Sequence, residues 1–111
     1  MRTKTLKQDF IVPNEIGLHA RPAALLANAA SQFDADIKVK CGNGTANGKS
    51  IIDIMNLYAG QGSIVTVTAI GEDAEVAIDA ITCLFRSFAS FESRPMVKRI
   101  RQARRDLVAV G

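Results

Sequence analysis

The sequence predicts an α+β fold, a two-layer sandwich in which helices cover one face of a sheet. Three observations carry this. Segments of strand and helix character interleave in the order β-α-β-β-α-β-α. Gly42-Asn43-Gly44 joins two short strand segments and reads as a hairpin turn, which forces an antiparallel pair. Two longer segments carry apolar residues at spacings of three and four, the stripe of a helix with one buried side.

The elements follow in chain order. Thr5 to Val12 is a strand that ends at the Pro13-Asn14 turn, although Gln8 interrupts its Leu6, Phe10 and Val12 face. Ala20 to Phe33 is an amphipathic helix with Ala23, Leu26, Ala27, Ala30 and Phe33 in its stripe, and its alanines favour helix intrinsically. In Asp36 to Cys41, Ile37, Val39 and Cys41 alternate with Asp36, Lys38 and Lys40, as in a half-buried strand. Thr45 to Gly48 is the short returning strand. Ile51 to Tyr58 is a short apolar cluster, broken by Ala59-Gly60-Gln61-Gly62. Ser63 to Ile70, rich in Val, Ile and Thr, is the last strand. Gly71-Glu72-Asp73 opens the final helix with acids near its positive end, and Ala77, Ile78, Ile81, Leu84, Phe85 and Phe88 form its buried stripe. Cys41 and Cys83 both fall on predicted apolar faces and are expected to be small core residues.

At 111 residues the chain fits one small domain, and 48% hydrophobic with 23% charged residues is an ordinary globular composition. That excludes disorder along its whole length. Two cysteines cannot make a disulfide framework. No apolar run approaches the roughly 20 residues needed to cross a bilayer, and Met1 to Asp9 lacks the apolar stretch of a secretory signal. A cytoplasmic protein with reduced thiols and no membrane insertion is the expectation. Charge is uneven. Residues 1–91 hold 8 basic and 9 acidic side chains, whereas residues 92–111 hold 6 basic and 2 acidic ones. A near-neutral body argues against nucleic-acid binding by the domain itself. The shift near Phe91 to Pro95 marks the expected boundary between a domain at 1–91 and a basic extension at 92–111. Phe91 to Val110 has Met96, Ile100, Ala103 and Leu107 at helical spacing. Its partner is open among a docking surface, an acidic membrane and nucleic acid, with solvation as the plain reading.

The chemistry lies in Gly17-Leu18-His19-Ala20-Arg21-Pro22-Ala23. Pro22 is tolerated within the first turn of a helix, where amides have no intrahelical partner. This puts His19 at or beside the N-cap, with the amides of Ala20 and Arg21 directed toward the space next to the imidazole. A helix N-terminus of this kind attracts anions, and Arg21 adds a permanent charge with a planar donor fork suited to phosphate. A ring nitrogen with a free lone pair is what a nucleophile needs. Once the ring carries a phosphoryl group, the same amides and Arg21 stabilise it. The pattern points to reversible phosphoryl transfer, in which positioning and charge stabilisation do most of the work. The plain alternative is a polar surface histidine beside a helix cap. One His and two distant Cys lack metal-ligand spacing, and no nucleophile-elbow motif supports a hydrolase.

The His19 segment resembles the active-site motif of HPr, the histidine phosphocarrier of the phosphoenolpyruvate-dependent sugar phosphotransferase system. Gly48-Lys49-Ser50-Ile51-Ile52-Asp53-Ile54-Met55 resembles that family's regulatory serine segment, at a matching distance from His19. The resemblance spans about residues 3–90. It implies an open-faced β-sandwich with a four-stranded antiparallel sheet and three helices on one face. It further implies a monomeric carrier with a phosphohistidine intermediate, rather than a free-standing enzyme, and no cofactor. His19 would take a phosphoryl group on Nδ1 from phospho-enzyme I and pass it to enzyme IIA domains for sugar uptake. Arg21 would be the phosphate partner and the Ala20 N–H would help hold the anion. Ser50 would be the target of an HPr kinase/phosphorylase and, once phosphorylated, of a transcription regulator.

Ser50 is also suited to cap a short helix, and a phosphate there would sit at a positive helix end. At most about half of Ile51, Ile52, Ile54, Met55, Leu57 and Tyr58 can be buried in a two-layer domain. Exposed residues among them, namely Ile51, Ile52 and Met55, are expected to join Leu18 and Ala20 in an apolar docking patch around His19. After Arg21 the first helix offers only Asn28, Ser31 and Gln32 as polar residues, so docking should lean on apolar contact more than on charge. Two other readings stay open. One is a nitrogen-branch carrier that serves regulatory targets; the Asn14-Glu15-Ile16-Gly17 loop resembles HPr and nitrogen-branch members alike, while the Lys49-Ser50-Ile51 segment leans toward HPr. The other is a binding module that acts through phospho-Ser50.

Overall fold

The computed structural model describes residues 3–14 and 17–97. Its elements are β1 (Lys4–Ile11), α1 (Ala20–Ala30), β2 (Asp36–Cys41), β3 (Gly44–Asn47), α2 (Ile51–Met55), β4 (Ile64–Gly71) and α3 (Ala74–Val97). The four strands form one sheet in the order β1-β4-β2-β3, and every neighbouring pair is antiparallel. Side chains alternate across a pleated strand. Accordingly Val65, Val67 and Ala69 of β4, Ile37 and Val39 of β2, and Ala46 of β3 are buried. Lys38 and Lys40 lie on the open face. Register puts Ala46, Val39 and Val67 side by side, which gives the helices a continuous apolar floor.

The β2–β3 hairpin turns through Gly42 and Asn43 between the paired residues Cys41 and Gly44. Gly42 has φ +60°, a conformation that suits a residue without a Cβ. Helix α3 buries Ala77, Ile81, Phe85 and Phe88 as the periodicity predicts. Phe85 stacks on Phe10 of β1 with ring centroids 4.5 Å apart, and meets Phe88 edge-on at 5.3 Å. Ring pairs of this kind contribute about 0.5–1.5 kcal/mol beyond their burial. They fasten α3 to the edge strand, where Leu6 and Phe10 pack on the core while Gln8 is exposed.

Four features differ from the expectations. Helix α1 stops at Ala30 rather than Phe33. Ser31 N–H donates to Ala27 O, and the amides of Gln32 and Phe33 turn back only three residues, to Ala29 O and Ala30 O. The Asp73 carboxylate accepts from the amides of Asp34 (2.8 Å) and Ala35 (2.9 Å), and so draws the chain away from helix into β2. Asp73 thus acts across the fold in addition to standing beside its own helix. Cys83 is exposed and is not a core residue, since it lies about 200° around the helix from Ile81. Cys41 is half-buried against the core. Finally, α3 continues through residue 91 to Val97, so helical backbone runs past the compositional boundary. The remainder of the basic extension, with Ile100, Ala103 and Leu107, lies outside the described residues. Among the described residues no helix is long and apolar enough to cross a membrane.

Removing the clamp tests this packing. Asp73→Ala leaves two amides without their acceptor and is expected to lower unfolding free energy by about 2 kcal/mol in urea titrations, with Asp73→Asn recovering part of the loss.

Candidate functional site

The segment before α1 is fixed by backbone hydrogen bonds to the loop between α2 and β4. Val12 N–H donates to Ser63 O, Gly62 N–H to Val12 O, and Leu18 N–H to Ala59 O, each at 2.9 Å. The Gln61 side chain adds a bond to Pro13 O at 3.2 Å. Within the segment, Gly17 N–H donates to Asn14 O, while Gly17 O accepts from Asn14 Nδ2 (2.6 Å) and from His19 N–H (3.0 Å). Gly17 has φ +86°, and a Cβ there would collide with Ala59 O and Gly60 Cα. Glycine is required at this point both for its dihedral and for the close approach of the two chains.

His19 emerges from this braced loop as the N-cap of α1, with extended backbone at φ −85° and ψ −165°. Its carbonyl accepts the helical bond from Ala23 N–H at 2.9 Å. The imidazole makes no capping hydrogen bond to the helix, and the residue is half-buried. Ala20 and Arg21 are the first two helical residues, both exposed, and buried Pro22 follows. The positive end of the helix thus starts at His19, with exposed Arg21 two residues on. This arrangement can hold a tetrahedral anion beside an imidazole nitrogen.

Ser50 is the N-cap of α2, and its Oγ accepts from Asp53 N–H at 3.2 Å. Asp53 Oδ2 in turn accepts from Asn47 N–H at 3.3 Å. Lys49 Nζ donates to Phe33 O at 2.8 Å, so its charge is held beyond the end of α1. Helices α1 and α2 pack together, with Ile54 fully buried. On the outer side of α2, Ile51 is 40% and Ile52 65% exposed, whereas Met55 is half-buried against the core.

One member of the expected docking patch is corrected. Leu18 is only 4% exposed and belongs to the core, because its amide is tied inward to Ala59 O. Ala20, Ile51 and Ile52 are exposed and Met55 partly so. Asn14 stands in the Asn14-Glu15-Ile16-Gly17 loop marked in the sequence, where its role in holding Gly17 was not read; Ala59 left no signal, since it acts through its carbonyl.

A histidine seated at a helix N-terminus on an open-faced β-sandwich, with an exposed arginine two residues on, defines a histidine-containing phosphocarrier domain. The family described as PTS HPr component phosphorylation site matches residues 6–87, and the chain belongs to it. It is similar to the phosphocarrier protein NPr of Shewanella violacea, with 39% identity over 79 residues, 71% of this chain and 87% of that protein. It is 44% identical over 79 residues to the multiphosphoryl transfer protein of Salmonella typhimurium. That match covers 68% of this chain and spans only 21% of the larger protein. Among solved structures, HPr-C-His from Thermoanaerobacter tengcongensis superposes with a TM-score of 0.73 at 41% identity, covering 77% of this chain and 96% of that one. The chain is thus an HPr-like phosphocarrier of the phosphotransferase system.

The loop bracing is testable. Gly17→Ala is expected to lower unfolding free energy by about 1–3 kcal/mol in urea titrations. It should also displace the amide resonances of Leu18 and Ala59 together.

Proposed function

We propose that His19 is the phosphoryl acceptor, charged by phospho-enzyme I and discharged to enzyme IIA domains during sugar uptake in the cytoplasm. The observation that carries this reading is the position of His19 as N-cap of α1 with Arg21 exposed two residues on. The Nδ1 lone pair attacks phosphorus on the donor's phosphohistidine. A nitrogen–phosphorus bond forms at His19 as the donor's bond breaks, and the donor imidazole leaves with the electron pair. The reverse sequence at an acceptor histidine returns His19 to its starting state. Arg21 and the first amides of α1, that of Ala20 included, stabilise the phosphoryl oxygens throughout, which is where catalytic advantage in such a transfer lies.

Residues 1–91 form the carrier unit in this proposal, and 92–111 an added basic extension. Ser50 is a regulatory position: its hydroxyl caps α2, so a phosphate would sit at the start of that helix on the face shared with α1. A kinase and a transcription regulator would be its partners. The match to an NPr protein favours a second reading, in which the same chemistry serves a nitrogen-branch relay. Incubation with phosphoenolpyruvate and each enzyme I paralogue separates the two, since only the cognate enzyme should charge the chain at full rate.

The central expectation is one acid-labile, alkali-stable phosphoryl group per chain after exposure to enzyme I and phosphoenolpyruvate, absent in His19→Ala. Arg21→Ala is expected to slow transfer by about 100-fold while leaving the unfolding curve in place. Loss of folding in that variant would instead make Arg21 structural.

A further inference from the structure

The bonds around Ser50 converge on one carboxylate. Asp53 N–H donates to Ser50 Oγ at 3.2 Å, and Asp53 Oδ2 accepts from Asn47 N–H at 3.3 Å. Asn47 is the last residue of β3, and its carbonyl accepts from Ser50 N–H at 3.0 Å. Its side-chain oxygen accepts from Lys49 N–H, also at 3.0 Å. Asp53 thus ties the end of β3 to the start of α2, across the turn that carries Ser50. The tie belongs to the Asp53 side chain. The Ser50 cap needs only the amide at position 53, which every residue but proline supplies.

The carboxylate and the hydroxyl are near neighbours. Bond lengths hold an aspartate oxygen within about 5 Å of its own amide nitrogen, so Asp53 Oδ2 stands within about 8 Å of Ser50 Oγ. Charges act on one another over that distance at physiological salt. The adjacent cation is committed elsewhere: Lys49 Nζ donates to Phe33 O at 2.8 Å. Lys38, paired in register with Asn47, lies on the open face of the sheet.

We infer that Ser50 and Asp53 form a charge-sensitive latch, in which a phosphate on Ser50 expels the Asp53 carboxylate from Asn47 N–H and frees the end of β3 from α2. This rests on the reading of Ser50 as a regulatory position. Transfer of a phosphoryl group from a nucleoside triphosphate forms an oxygen–phosphorus bond at Oγ, with the hydroxyl proton released and the nucleoside diphosphate leaving. The ester carries about 1.5–2 negative charges. It can still accept from Asp53 N–H, so the cap survives, while like-charge repulsion falls on the carboxylate. Asp53 therefore decides how the fold registers the modification. A neutral residue at position 53 would leave the junction of β3 and α2 in place; Asp53 makes it loosen.

The test is a double-mutant cycle in the full 111-residue chain. Ser50→Asp and Ser50→Asn cap a helix about equally well and differ in charge, which separates the charge from the cap. Each is made with Asp53 present and with Asp53→Asn. The quantity read is the unfolding equilibrium constant of Ser50→Asp divided by that of Ser50→Asn, from urea titrations at about 20 mM salt. This ratio is expected to be about threefold larger with Asp53 present than with Asp53→Asn, the size of an exposed charge pair. At about 1 M salt the two ratios should come together. In nitrogen–proton spectra the Asn47 amide should move in Ser50→Asp only while Asp53 is present. Equal ratios in both backgrounds at low salt, or an Asn47 amide that stays in place, would overturn the inference. If Ser50→Asp does not fold beside Asp53, recovery by Asp53→Asn supports the latch, and failure in both backgrounds overturns it. A kinase that places no phosphate on Ser50 removes the regulatory reading alone, because the charge variants decide the latch without it.

Discussion

The site depends on one contact between two loops. Gly17 lies so close to Ala59 and Gly60 that no side chain fits between them, and Leu18 N–H is bound to Ala59 O. Because the loop before α1 is held on the loop before β4, His19 leaves it at a fixed angle and starts the helix as its N-cap. The backbone leading into His19 is fixed by bonds that link residues more than forty positions apart in sequence. The same contact puts Leu18 into the core, and so decides which neighbours of His19 are left for a partner.

Around this contact, the rest of the fold works as a rigid backing. The Phe10, Phe85 and Phe88 rings fasten the long helix to the edge strand, and the Asp73 carboxylate ties the start of that helix to the end of the first one. Three helices thereby share one apolar floor, with Ile54 and Leu26 fully buried. The outer side of α1 and α2 exposes Leu25, Ile51 and Ile52 together with one charge of each sign, Arg21 and Asp53. A carrier that must meet a donor and an acceptor in turn benefits from such a surface, because apolar contact is tolerant of differing partners in a way that paired charges are not.

Much of this was legible in the residues themselves. The hairpin at Gly42 and Asn43, the alternation of β2 and the stripe of α3 are local patterns, and local patterns report secondary structure directly. Pro22 located the start of α1 with His19 at its N-cap, since proline marks the first turn. What was not legible arises from contacts across the chain. The end of α1 is set by a carboxylate some forty residues away, and the exposure of Cys83 follows from the rotation of α3 on the sheet. Leu18 is an apolar residue in a loop, with nothing in its neighbours to say whether it faces solvent; the bond to Ala59 decides that. The left-handed turn at Tyr58 had no sequence signal at all, because the residue found there is one that this conformation disfavours.

The account requires that a phosphoryl group on the ring be held by the opening amides of the helix. The direct measurement is a nitrogen–proton correlation spectrum of the labelled chain before and after charging. The largest displacements should fall on the amides of Ala20 and Arg21, with the sheet resonances almost unmoved. Displacements centred on α3 or on the sheet, with Ala20 and Arg21 unchanged, would contradict it.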